Sequence, residues 1–130
     1  MIEINNLTKN KISKKVIEEF LGRLLKKLGI KDDVSLVFIS AKRIKELNKT
    51  YLKRNRVTDV LSFPGEKNFL GEIVISLSQA KKQAQEQKHS LEKELKILII
   101  HGLLHLLGFN HQKEKDQKKM SIWEKKLLKL

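Results

Sequence analysis

The spacing of apolar residues divides the chain into segments of helical and of strand periodicity. Residues 12–28 carry apolar side chains at helical spacing, and Gly29 follows them as a residue suited to ending a helix. Residues 34–40 and 71–76 are short, apolar and β-branched, which predicts two buried strands. Helical and strand segments mixed in so short a chain predict an α+β fold, in which a small sheet packs with helices.

Two weaker strand patterns extend this prediction to a small mixed sheet of about four strands. Ile2 and Ile4 alternate with polar residues, as in a short first strand. Residues 58–63 alternate partly and are ended by a turn at Pro64 and Gly65.

Four more helices are predicted, and two of them follow a serine placed as an N-cap. Ser40 precedes a helix that reaches about residue 51, and Ser90 precedes one whose Glu92 and Glu94 suit its positive N-terminal end. The helix after Ser90 is apolar on all sides over residues 95–107, which predicts a buried central helix. The other two helices cover about residues 77–88 and 114–128. Together these elements predict a single domain over residues 1–130.

Composition excludes several classes of protein. The chain has 130 residues and no cysteine, which rules out a disulfide scaffold, a cysteine zinc finger, an iron–sulfur site and a cysteine nucleophile. Apolar runs such as residues 97–100 are too short to span a membrane, so no membrane partner is expected. The N-terminus lacks the basic and apolar regions of a signal peptide. We therefore expect a cytoplasmic protein.

A strong positive charge favours a polyanionic partner. Lys and Arg number 28 against 15 Asp and Glu, which gives a formal net charge of +13. Such a surface attracts nucleic acid by releasing counterions. The alternative is that lysine is simply the usual solvent-facing residue of this chain. With one Trp and one Tyr, no platform for stacking bases is evident from composition.

Three of the four histidines fall within residues 101–111. His101 and His105 are separated by four residues on the predicted central helix, so their rings share one face. Gly108 can end that helix in a left-handed conformation, and His111 follows three residues later. Three imidazoles with no fourth protein ligand is the pattern of a catalytic zinc site. The segment therefore predicts one Zn²⁺ per chain, held by His101, His105 and His111.

These histidines also have interpretations that involve no metal. A histidine on an apolar helix often bonds a backbone carbonyl, and two at this spacing can pair with acids or line an interface. Burying three unpartnered imidazoles among leucines and isoleucines is costly, which favours the metal. Zinc is preferred to nickel or another imidazole-binding metal, although affinity order alone does not select it. His89 lies outside the segment and is expected to be exposed at a helix break.

The same spacing, H-x-x-x-H-x-x-G-x-x-H, occurs in the metzincin proteases. Those enzymes carry a general-base Glu directly after the first His, whereas this chain has Gly102 there. Glycine cannot accept a proton, so proteolysis by that route is not expected.

The segment His101–His111 resembles the signature of the YbeY family of bacterial rRNA-maturation endoribonucleases. TDVLSFP at residues 58–64 and LGEIVIS at residues 70–76 resemble two further motifs of that family. Leu47, Asn48, Tyr51 and Met120 also agree with it. The resemblance implies a zinc-dependent hydrolase that cleaves single-stranded RNA in 16S rRNA 3′-end maturation and ribosome quality control, on the small ribosomal subunit. It also implies that the three histidines are the zinc ligands.

The chain departs from the family pattern at three positions. Asn110 stands where the family has Asp, and Glu72 replaces another Asp in the strand motif. An Arg expected six residues before Thr58 is Leu52 here. Lys53, Arg54 and Arg56 are the nearby cations that could replace it, and Arg54 is the better phosphate ligand, because a guanidinium binds phosphate through two hydrogen bonds.

The catalytic base and the class of function stay open at this point. Asp59 and Glu72 are candidate bases by chemistry alone, and either water or a 2′-hydroxyl is a possible nucleophile. A zinc endoribonuclease is the leading hypothesis. The alternatives are a ribosome-associated RNA-binding factor with a structural zinc, and a metallohydrolase that acts on a substrate other than RNA.

Overall fold

A computed structural model describes residues 1–52, 59–109 and 113–130 of the chain. Its described part contains four strands and five helices. The strands are β1 (Ile2–Asn6), β2 (Asp33–Ile39), β3 (Val60–Pro64) and β4 (Phe69–Ser76). The helices are α1 (Lys14–Leu28), α2 (Ala41–Leu52), α3 (Leu77–Glu86), α4 (Leu91–Leu106) and α5 (Glu114–Leu128). The predicted α+β fold with a four-stranded sheet is confirmed.

The sheet is mixed, with the strands in the order β1-β2-β4-β3. β1, β2 and β4 are parallel, whereas β3 runs antiparallel to β4 at one edge. β3 includes Pro64, which has no backbone N–H to donate and is therefore suited to the end of an edge strand. The central pair, β2 and β4, aligns Leu36 with Ile73 and Val37 with Val74.

Alternation along the strands gives the sheet two faces that are covered differently. Leu36 and Ile73 belong to the larger core, which also includes side chains of α1 and α4. Ile39 and Val74 belong to a smaller cluster with Ile44 of α2. The helices α1 and α4 therefore cover one face of the sheet and α2 covers part of the other.

The predicted helix ends are confirmed. Gly29 adopts a left-handed conformation with φ of 67° after α1. The Ser40 hydroxyl accepts a hydrogen bond of 3.1 Å from the Arg43 amide at the start of α2. The Ser90 hydroxyl accepts one of 3.1 Å from the Lys93 amide at the start of α4. Each cap satisfies backbone groups that have no partner within the helix.

Helix α4 is the buried central helix that the apolar run predicts. Its buried apolar side chains are Leu95, Leu98, Ile99, Ile100, Leu103 and Leu104. α5 packs on it through Met120 and Leu127, both of which are buried. No helix in the described ranges is both long enough and apolar enough to cross a membrane.

The prediction that His89 is exposed is wrong. Its side chain is 18% exposed, and Nε2 lies 2.6 Å from Oε1 of Glu94, which is 6% exposed. The cause is the turn between α3 and α4, in which Lys88 has φ of 57° and the His89 amide donates to the Ala84 carbonyl. This turn brings the ring against the first turn of α4. Glu94 therefore bonds a neighbouring side chain, because a buried carboxylate needs a partner.

Replacing Glu94 with Ala is expected to lower the free energy of unfolding by about 1–3 kcal/mol, because it leaves the His89 ring without its partner. Glu92→Ala is the matched control. Glu92 is 64% exposed and its carboxylate lies 3.5 Å from Lys96 Nζ, so this change is expected to stay within about 0.5 kcal/mol. Urea unfolding followed by circular dichroism measures both. Equal losses in the two variants would contradict a stabilising role for the buried pair.

Candidate metal centre

His101 and His105 lie on successive turns of α4 and converge on one point. Their Nε2 atoms are 3.0 Å apart. The ring centroids are 4.5 Å apart with an interplanar angle of 65°. Both residues are half-buried, in the apolar second half of the helix. The spacing of four residues thus brings the two rings together, as predicted.

The donor atoms of this pair fit two ligands of one metal ion. Two nitrogens bound to a tetrahedral zinc at about 2.0–2.1 Å are separated by about 3.3 Å. The observed 3.0 Å is close to that distance and is also the length of a hydrogen bond between the rings. Imidazole nitrogen is a preferred zinc donor, so the two side chains suit the predicted metal in both chemistry and placement.

The predicted third ligand, His111, lies outside the described residues, as does Asn110. Within the described ranges, no three His, Cys, Asp or Glu side chains are grouped to hold a metal ion. The structure therefore positions two of the three predicted ligands, and the role of His111 stays a prediction.

Helix α4 packs closely on the sheet at Gly102, the residue directly after His101. A Cβ atom at this position would lie 2.7 Å from Ile73 Cγ2 and 3.2 Å from Ser62 Oγ. The Ser62 hydroxyl donates a hydrogen bond of 3.0 Å to the Gly102 carbonyl. A larger residue here would force Ile73 or the helix to shift, so the packing favours glycine at the position of the metzincin Glu. Sequence reasoning did not single out Ser62, although it lies within the TDVLSFP motif.

Helix α4 ends two residues before Gly108, the glycine that the sequence predicts to terminate it. Gly108 has φ of 97°, a conformation that favours glycine. Its amide donates to the His105 carbonyl at 3.0 Å, and the Phe109 amide donates to the Leu104 carbonyl at 3.0 Å. These bonds satisfy the last carbonyls of the helix and turn the chain immediately after the second histidine.

Of the two candidate bases, Glu72 lies on the wrong face of the sheet to act at the histidine pair. Glu72 lies on the same face of β4 as Val74, which belongs to the cluster under α2. Ile73, between them, lies on the other face and packs with the core under α4. The Glu72 carboxylate accepts a hydrogen bond of 3.2 Å from Ser35 on the adjacent strand. Glu72 is therefore a polar residue of the opposite sheet face.

Asp59 directly precedes β3 at the end of the sheet where β4 finishes. Its carbonyl accepts a hydrogen bond of 2.9 Å from the Ser76 amide. Val60 packs with the core under α4 and Leu61 belongs to the cluster under α2, so the same alternation puts Asp59 on the α2 side of the sheet, as it does Glu72. The geometry therefore selects neither carboxylate, and the identity of the general base stays open. Arg54 and Arg56 lie outside the described residues, so their phosphate contacts stay predictions.

Comparison with known proteins finds one family that matches nearly the whole chain. A family model described as Endoribonuclease YbeY matches residues 2–130. A relative from Phytoplasma australiense, named Endoribonuclease YbeY, is 40% identical over 136 residues, covering 98% of this chain and 93% of the relative. One of the same name from Aquifex aeolicus is 44% identical over 119 residues, covering 87% of this chain and 79% of the relative.

A solved structure supports the fold independently. The solution structure of TM1509 from Thermotoga maritima matches with a TM-score of 0.76 and 34% sequence identity. The match covers 99% of this chain and 87% of that protein.

Replacing Gly102 with Ala is expected to destabilise the fold by about 1–3 kcal/mol, because the methyl group forces α4 away from the sheet. Gly22→Ala is the matched control on α1, since the nearest atom to its added Cβ is Ile2 Cδ1 at 3.9 Å. That control is expected to be neutral or to stabilise by up to about 1 kcal/mol, because Ala favours helix. Urea unfolding of both variants checks the prediction. A Gly102→Ala variant as stable as Gly22→Ala would contradict the close packing.

Proposed function

The chain belongs to the YbeY family of endoribonucleases, and from that premise we propose that it is a zinc-dependent enzyme that cleaves single-stranded RNA. The proposed process is 3′-end maturation of 16S rRNA and ribosome quality control, on the small ribosomal subunit in the cytoplasm. The observation that carries the proposal is the convergence of the His101 and His105 Nε2 atoms to 3.0 Å. A net charge of +13 favours the approach of an RNA substrate.

His101 and His105 would hold the zinc ion, with His111 as the third ligand. When bound, zinc supplies a Lewis acid that stabilises negative charge on a phosphodiester oxygen. Three protein ligands leave a coordination position open for a substrate. The packing of Gly102 on Ile73, with the Ser62 hydrogen bond, holds α4 in place and so keeps both imidazoles in fixed positions.

Cations that follow α2 would hold the substrate. We assign this role to Arg54 and Arg56, with Arg54 providing the phosphate contact that Leu52 cannot make. A guanidinium matches two oxygens of a phosphate, which fixes the scissile group as well as neutralising it. The general base stays open, because alternation puts both Asp59 and Glu72 on the face of the sheet under α2. The end groups of the products distinguish attack by water from attack by a 2′-hydroxyl.

A ribosome-associated RNA-binding factor with a structural zinc is the second candidate function. Leu52, at the position of the family's Arg, favours it. That function predicts zinc-dependent stability and RNA affinity without cleavage. A peptide-cleaving metallohydrolase is disfavoured, because Gly102 supplies no general base at the position where metzincins have Glu.

Replacing His105 with Ala is expected to lower the zinc content well below one ion per chain and to reduce cleavage of a single-stranded RNA by at least about 100-fold. Cleavage of a labelled oligonucleotide and metal analysis of the purified protein provide the two readings. His89→Ala, which removes a histidine of the α3–α4 turn, is expected to keep both properties once circular dichroism has established folding. Zinc and RNA binding without cleavage in the unaltered protein would favour the second candidate function.

Replacing Arg54 with Ala is expected to raise KM for single-stranded RNA by about 10-fold, because a charge-assisted phosphate contact is lost. Arg54→Lys should recover only part of that loss, since an ammonium group lacks the planar pair of donors. Arg43→Ala is the control, because Arg43 is exposed and its guanidinium pairs with Glu46 at 3.3 Å. Steady-state cleavage kinetics measure KM for each variant. Equal KM values for the Arg54 and Arg43 variants would contradict the assignment of Arg54 to phosphate binding.

A further inference from the structure

Two aromatic side chains meet on the face of the sheet opposite to the histidine pair. Tyr51, near the end of α2, contacts Phe63 of β3 with ring centroids 5.6 Å apart and an interplanar angle of 74°. Phe63 packs against the smaller hydrophobic cluster. Tyr51 is nevertheless 64% exposed. An exposed aromatic ring is thus braced from the side by a second, anchored ring.

This aromatic pair is connected to the proposed metal centre through β3. Phe63 directly follows Ser62, whose hydroxyl bonds Gly102 between the two histidines. Because successive side chains of a strand point to opposite faces, Ser62 faces α4 and Phe63 faces α2. β3 is the last strand of the described sheet, so the aromatic pair and the histidine pair lie on the two sides of the same sheet edge.

Helix α2 adds positive charge to this side of the sheet. It carries four basic residues and a single acidic one, Glu46, which pairs with Arg43 at 3.3 Å. Lys42, Lys45 and Lys49 are exposed on the side of α2 that faces away from the sheet, since Ile44 on the other side is buried. Aromatic rings for stacking, combined with a basic surface that follows the backbone, are the features by which proteins bind single-stranded nucleic acid.

We propose that Tyr51, braced by Phe63, stacks on an unpaired base of the RNA substrate close to the cleaved phosphodiester. This inference rests on the proposed function for the identity of the ligand. Stacking accepts any base but requires an unpaired one, so the subsite selects single-stranded over double-stranded RNA. Composition did not reveal it, because Tyr51 and Phe63 belong to different elements and meet only when α2 packs on the sheet.

The test compares Tyr51→Ala and Tyr51→Phe in the zinc-loaded protein, with a labelled single-stranded RNA decamer as substrate. Tyr51→Ala is expected to raise KM by about 5- to 100-fold, the loss typical of one stacked base, and to leave kcat within about twofold. Tyr51→Phe keeps the ring and is expected to match the unaltered protein. Ile122→Ala on α5 is the matched control, because Ile122 is 59% exposed and lies outside this region.

The salt dependence of RNA affinity distinguishes the contribution of base stacking from that of charge. The slope of log affinity against log salt, measured by fluorescence anisotropy, is expected to be unchanged in Tyr51→Ala and shallower in Lys49→Ala. An unchanged KM in Tyr51→Ala, with the unaltered protein active, overturns the subsite and leaves the proposed function intact. If the unaltered protein cleaves no RNA, the proposed function fails. The anisotropy measurement then decides the subsite alone: weaker RNA binding by Tyr51→Ala supports it and equal binding overturns it.

Discussion

Helix α4 rests on the sheet through its own backbone at Gly102, where the Ser62 hydroxyl bonds the glycine carbonyl at 3.0 Å. Ile73 fills the space in which a side chain would otherwise lie. Leu103 and Ile99 of the same helix are fully buried, and each such side chain contributes about 1.5–3 kcal/mol to stability. The positions of His101 and His105 depend on this contact, because both residues flank the glycine that makes it.

The two faces of the sheet carry different parts of the proposed RNA-binding and cleavage site. The face under α4 carries the histidine pair, and the face under α2 carries the Tyr51–Phe63 pair. β3 joins them, since its consecutive residues Ser62 and Phe63 point to opposite sides. β3 is the edge strand of the described sheet, and an extended chain binds to a sheet at such an edge. The placement of Glu72 follows from the same alternation.

The sequence predicted those features that depend on residues close together along the chain. The helix caps at Ser40 and Ser90, the glycine that ends α4 and the pairing of His101 with His105 all follow from spacing within one or two turns. The four strand segments also follow from local apolar patterns, whereas the order of the strands and the antiparallel pairing of β3 with β4 depend on contacts between elements.

The features that sequence reasoning missed depend on how separate elements pack. His89 is covered because the α3–α4 turn places it on Glu94, a contact that spacing does not encode. Alternation predicts that Glu72 and Ile73 lie on different faces of the sheet, but only the packed structure shows which face α4 covers. Phe63 and Tyr51 belong to a strand and a helix whose contact was not predictable from either pattern.

The central claim is that the α4 histidines are two of three ligands to a catalytic zinc. The most direct measurement is a crystal structure of the zinc-loaded protein with anomalous scattering recorded at the zinc edge. We expect one zinc per chain, bound by Nε2 of His101 and His105 and by His111, with no fourth protein ligand. Zinc bound elsewhere, or held by four protein side chains at this position, would contradict the claim.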